Sequence, residues 1–147
     1  MPNLEDLRAL LSTETGLVTV ASASADLSVV TSVVNAGILP HPVSGADVIG
    51  LVSRADAVRI RHVVSGRPLT VTARRGWKWV SARGPADLIG PDHPRDGIDA
   101  DGVRQLLRDI FHAAGGTHDD LEDYDQVMAA ERLVAVLVHP ERVSGVL

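Results

Sequence analysis

Between Leu17 and Ser53 three apolar runs follow one another with only short polar gaps, and this arrangement constrains the fold more than any other. A parallel α/β sheet needs a crossover, usually a helix, between successive strands. The runs Leu17 to Ala23, Val29 to Leu39 and Val48 to Ser53 leave no room for one. The first gap holds Ser24, Asp26 and Ser28, and the second holds Pro40-His41-Pro42 and Ser44-Gly45. Both read as turns, so the strands pair antiparallel.

The rest of the chain completes a mostly β pattern. Asn3 followed by Asp6 reads as a helix start, and Leu4, Leu7, Leu10 and Leu11 keep helical spacing up to Gly16. Arg54 to Ser65 is predicted to be helical and ends at Gly66-Arg67-Pro68. Leu69 to Arg74 is a strand, Arg75-Gly76 a hairpin turn, and Trp77 to Ile89 the next strand. Period two puts Trp77 and Trp79 on one face of it, and Gly84-Pro85 bends or bulges it. Past a loop from Gly90 to Gly102, Val103, Leu106, Leu107, Ile110 and Phe111 mark an amphipathic helix. Thr117 with Asp120 reads as a capping box opening a helix through Arg132, with Leu121, Tyr124, Val127 and Met128 inward. Leu133 to His139 is a last, almost wholly apolar strand that belongs inside the sheet. Six strands joined mostly by hairpins predict a small antiparallel barrel with peripheral helices, one domain over 1–147. No GxGxxG or Walker motif is present.

Composition narrows the function classes. There is no Cys, which excludes disulfides and thiolate metal sites and fits a cytoplasmic protein. The start of the chain is neither basic nor continuously apolar, so no signal peptide is visible, and no run reaches the roughly 20 apolar residues of a membrane span. The net charge of −5 argues against nucleic-acid binding over a large face.

Charge is nevertheless segregated. Arg54 to Arg83 holds eight of the fourteen basic residues and one of the nineteen acids, Asp56, a net +7. Such a segment reads as an anion-binding strip, with a plain solvated basic face as the equal alternative. Within it, Ser53 and Arg54 end a strand, and Arg59, Arg61 and His62 follow on a helix. Hydroxyl and guanidinium groups there complement a phosphate. Trp77 and Trp79 are the only Trp residues of an aromatic-poor chain. They either fill core or wall a planar ligand. A phosphate site beside an aromatic wall suits a flavin-like cofactor.

Other constellations have simpler readings. None of the six His residues pairs with another at i+3 or i+4, so no helical metal site is written and no metal is expected. No strained GxSxG elbow presents a nucleophilic Ser. Asp119, Asp120, Glu122, Asp123 and Asp125 are acids favoured by a helix N-terminus.

Three stretches carry a family likeness: Ser32 to Pro42, Arg75-Gly76-Trp77-Lys78-Trp79-Val80, and a C-terminal block. That block runs from Leu88 to Asp92, then Ala114-Gly115-Gly116-Thr117-His118-Asp119-Asp120, Tyr124 to Ala129, and Val134 to Val143. The chain resembles the pyridoxamine-phosphate-oxidase-like, FMN-binding split-barrel superfamily. Within it, it looks like the actinobacterial deazaflavin (coenzyme F-420) dependent branch of the flavin/deazaflavin oxidoreductases, branch B. The resemblance implies a six-stranded antiparallel split β-barrel and a homodimer with cofactor sites at the interface. It implies hydride transfer between F-420 and a small conjugated organic acceptor. FMN is the alternative cofactor, and a non-catalytic flavin, deazaflavin or tetrapyrrole binder the alternative role. Thr31, Ser32 and Val34 would border the ring system. Ser53, Arg54, Arg59, Arg61 and His62 would form the phosphate segment, and Trp77 would be a wall reaching the site from the partner subunit. Relatives commonly write Arg-Lys then Leu-x-Asn in that segment. Here Val58 takes the position of the Arg, Arg59 that of the Lys and His62 that of the Asn, with Arg54 and Arg61 near enough to compensate. No catalytic side chain is implied, because solvent can supply the proton.

Overall fold

The computed structural model describes residues 1–147, with four helices and eight strands. In chain order these are α1 (Leu4–Thr13), β1 (Leu17–Ala23), β2 (Val29–Pro40), β3 (Asp47–Ser53), α2 (Val58–Val64), β4 (Leu69–Arg75), β5 (Lys78–Gly84), β6 (Ala86–Ile89), α3 (Ala100–Ala113), α4 (Leu121–Ala130), β7 (Val134–Val138) and β8 (Arg142–Val146). All strand pairs are antiparallel, in the order β6-β7-β3-β2-β1-β4-β5-β8.

Eight strands replace the six expected, for two reasons. The run from Trp77 to Ile89 breaks at Pro85 into β5 and β6, which lie near opposite ends of the sheet order. β5 pairs with β4 and β8, whereas β6 pairs with β7. One continuous bent segment therefore serves both ends, and the sheet curls back on itself. Gly84 makes the bend possible, since a Cβ there would meet the His139 carbonyl oxygen at 1.7 Å. The second addition, β8, follows Pro140 and holds Ser144 and Gly145, which have weak strand preference; its pairing with β5 holds it in place.

Two apolar layers hold the sheet. Inside the curl, Val18, Val20, Leu51, Val71, Val80 and Val136 pack with Leu7, Leu10 and Leu11 of α1. The Asn3/Asp6 capping box starts α1 as its sequence predicts. On the other side of β3 and β7, α3 buries Leu106, Leu107 and Ile110 against Val48, Ala135 and Leu137. Each fully buried Val, Leu or Ile here contributes about 1.5–3 kcal/mol over leaving it exposed. The end of α3 approaches β2 at Gly37, where a Cβ would lie 2.3 Å from the Ala113 carbonyl carbon.

Three local expectations shift. The helix expected from Arg54 begins at Val58, because Arg54 to Ala57 forms a turn closed by the Ala57 amide on the Arg54 carbonyl at 3.2 Å. Asp120, not Thr117, caps α4, accepting from the Asp123 amide; Tyr124 is its one buried residue, and Val127 is exposed. The hairpin turn is Gly76-Trp77, so Trp77 leaves the strand face it would share with Trp79 and stands at the tip, 94% exposed. β7 lies inside the sheet between β6 and β3, with all five residues buried. No helix is long and apolar enough to cross a membrane.

Candidate functional site

β2 and β3 pair from Pro40↔Asp47 to Ala36↔Leu51 and then part. Beyond that point β2 continues against β1, and β3 continues against β7. A split opens between Ser32 and Val34 on one strand and Val52 and Ser53 on the other. Arg59, on α2, spans it. Its Nη1 donates to Ser53 Oγ at 2.9 Å and its Nη2 to Ser32 Oγ at 2.5 Å. The Ser53 hydroxyl in turn donates to the Arg54 carbonyl at 3.1 Å.

The electrostatics of this bridge are unusual. Arg59 is half-buried, both its hydroxyl partners are neutral, and it forms no ion pair with a carboxylate. Burial alone pulls its pKa down from the ordinary arginine value, with no acid to offset it. A partly desolvated cation with unused N–H donors favours an incoming anion.

A separate cavity of about 390 Å³ touches the split only through Val34 and Val52; α3 and α4 supply Phe111, Tyr124 and Met128 to its walls, and Ser32, Ser53 and Arg59 do not line it. The Phe111 and Tyr124 rings sit 4.7 Å apart at 35°. The Tyr124 hydroxyl is tied to the Leu107 carbonyl at 3.1 Å, and burial, with the nearby Asp125 charge, raises its pKa.

Four of the nine residues singled out from the sequence meet here: Ser32, Val34, Ser53 and Arg59. The others lie elsewhere in the subunit. Strand alternation turns Thr31 to the opposite sheet face from Ser32 and Val34. Arg54 is exposed and pairs with Asp56 at 3.3 Å. Arg61 is exposed on α2. His62 is buried, with Nδ1 2.7 Å from the Ser22 hydroxyl, so that nitrogen is engaged in the interior. Trp77 borders a broad cleft of about 980 Å³ on the outer sheet face, with Leu17, Val33, Trp79 and Val146.

One cluster was invisible to a search for His pairs at helical spacing. His41 at the end of β2, Asp87 on β6 and His139 after β7 bring their side-chain ligand atoms within 4.8 Å of one another. Both His Nε2 atoms meet Asp87 Oδ2, at 3.0 and 2.8 Å. His41 Nδ1 accepts the amides of Val43 and Ser44 at 3.1 and 3.3 Å, so in the neutral ring Nε2 carries the proton. A metal would need a lone pair at that atom. As built, the trio is a hydrogen-bonded clamp fastening the β2–β3 turn to β6 and β7.

The sequence matches no family model and no curated protein. Solved structures match over nearly its whole length. A conserved hypothetical protein of Mycobacterium tuberculosis aligns with a TM-score of 0.68 at 12% identity, over 99% of this chain and 84% of that one. An F420 reductase aligns at 0.61 and 11%, over 93% and 94% of the two chains. Others are named as candidate pyridoxamine 5'-phosphate oxidases of Lactobacillus delbrueckii and Listeria innocua. The structural neighbours are split-barrel proteins of the pyridoxamine-phosphate-oxidase-like kind. HutZ, a heme storage protein of Vibrio cholerae, shares the same fold with a TM-score of 0.56 at 10% identity, over 98% and 94% of the chains. At these identities the likeness establishes the fold.

Proposed function

We propose that this chain is a flavin- or deazaflavin-binding oxidoreductase that uses coenzyme F-420 to reduce a small conjugated organic acceptor. The observation that carries this is Arg59, a half-buried cation bridging Ser32 and Ser53 at the β2–β3 split without an acidic partner. An F420 reductase among the structural neighbours supports the choice of cofactor. The cofactor phosphate or acidic tail would take the free N–H groups of Arg59, with Arg54 and Arg61 adding long-range attraction. Val34, with Ser32, would border the ring. Bound deazaflavin supplies the hydride. The residues of the chain bind it, orient it and exclude water; the proton comes from solvent, and no catalytic side chain is named.

The site is completed in a homodimer. The outer sheet face exposes Leu17, Val33, Trp79 and Val146 around the cleft that Trp77 borders. Apolar surface gathered in this way is suited to a second copy. Trp77 would then reach the partner's site as an aromatic wall, and Thr31 would lie at the seam.

FMN is the second reading, favoured by the neighbours named for pyridoxamine 5'-phosphate oxidase. A non-catalytic tetrapyrrole binder is the third, favoured by the heme storage protein. Titrating F-420, FMN and hemin into one apo preparation separates them. Tight F-420 binding by a colourless protein supports the first. Yellow protein with flavin fluorescence supports the second, and a Soret band the third. Binding of none at micromolar concentration overturns the cofactor role of Arg59.

A further inference from the structure

The basic residues of this acidic chain divide by location. Six lie outside Arg54–Arg83, and five of these, Arg8, Arg95, Arg104, Arg108 and Arg132, pair with a carboxylate. The sixth, Arg142, has none. Inside the strip only Arg54 has one. Arg142 lies directly across from Arg83 in the β5–β8 register. The one unpaired base outside the strip therefore faces an unpaired base belonging to it.

Both residues are exposed. Like charges directly opposite on neighbouring strands repel, and most other arginines here found an acid. The remainder of the row explains what the pair can hold. Across β5, Arg83 faces Thr70; Thr70 faces Ala21, and Ala21 faces Thr31. Thr70, the immediate neighbour of Arg83, offers a neutral hydroxyl donor beside the guanidinium pair, and the small Ala21 beyond it keeps the row shallow; Thr31 lies too far along the row to reach them. Ser53, Ser32 and Arg59 face the other side of the sheet.

We infer that Arg83 and Arg142 form a second oxyanion-binding site, for a phosphate or carboxylate group, on the outer sheet face. Two forks converging on one anion supply several charge-assisted hydrogen bonds and relieve the repulsion between them. This site stands independently of the cofactor reading.

Calorimetric titration at low salt tests it, with pyrophosphate and triglutamate as separate probes. It is run on Arg59→Gln protein, so that the bridge at the split contributes nothing. One probe or both should bind, and adding Arg83→Gln with Arg142→Gln should weaken that binding at least about tenfold. Adding Arg8→Gln with Arg104→Gln instead changes net charge equally and should leave affinity within about twofold. Tighter pyrophosphate names a phosphate ligand, and tighter triglutamate a carboxylate one. Melting curves confirm that each variant folds. No binding of either probe, or equal weakening by both double substitutions, overturns the site.

Discussion

Arg59 donates to the Ser32 hydroxyl at 2.5 Å from 27 positions further along the chain, across the gap where β2 and β3 separate. The same guanidinium holds Ser53 on the other side of that gap. Arg59 is therefore both a strap across the split and a cation with donors to spare. Arg59→Glu should weaken F-420 binding at least tenfold, about 1.4 kcal/mol, measured by fluorescence titration. Arg59→Lys keeps the charge but reaches one strand at a time, so it should fall between the two. Unchanged affinity in the Glu variant removes the anion role.

Asp87 accepts from both His41 and His139 and has Arg95 at 3.6 Å. Burial pushes its carboxyl up, but the hydrogen bonds from His139 and His41 and the His139 and Arg95 charges outweigh this, and its pKa falls below the usual value. A depressed carboxylate stabilises the fold above its unfolded pKa of about 3.9, and that stability is lost as pH falls through the lower folded value. Asp87→Asn should cost about 1–3 kcal/mol at neutral pH and flatten the acid limb of a urea-denaturation series. If the variant keeps the wild-type acid limb, the clamp does not hold the turn. Zinc added to wild type should leave Tm within about 1 °C, since His41 Nε2 carries a proton.

Local chemistry made much of this legible from sequence. The Asn3/Asp6 capping box and the span of β1 need only neighbours in the chain, and both read correctly. What failed depends on partners far along the chain. β8 is a strand because β5 lies beside it. Trp77 leaves its strand because the Arg75↔Lys78 pairing places the turn one residue later than Arg75-Gly76. The His41–Asp87–His139 cluster joins three elements that no spacing rule connects. At the split, the residue types were readable, but the pleat parts Thr31 from Ser32, and Ser22 draws His62 into the interior.

Gly84 sits where the bent segment passes under the chain near His139. The His139 amide donates to the Pro85 carbonyl at 2.9 Å, and the Glu141 amide to the Arg83 carbonyl at 3.0 Å. A methyl group at Gly84 has only backbone to push against, the His139 carbonyl at 1.7 Å. Gly84→Ala should destabilise by about 3 kcal/mol or abolish folding, read by chemical denaturation. Stability within 0.5 kcal/mol of wild type, roughly the spread of neutral surface changes, would mean that the bend relaxes and does not fix the closure.

The outer sheet face offers the last test. Val33 is 68% exposed in the middle of β2, with Thr19 beside it in register and Trp79 across the same cleft. In a lone subunit Val33 contributes strand preference but no burial. A second copy covering it would bury it with Leu17 and Val146. Light scattering should therefore report about twice 15.6 kDa for wild type. Val33→Asp places a charge in that contact and should shift the protein toward monomer at micromolar concentration. Because Val33 faces away from Arg59, the variant should melt like wild type once dimer dissociation is allowed for. Its F-420 affinity should still fall if, as proposed, Trp77 of the other subunit walls the site. A monomeric wild type refutes the shared site, and a Val33→Asp protein that stays dimeric moves the interface off this face.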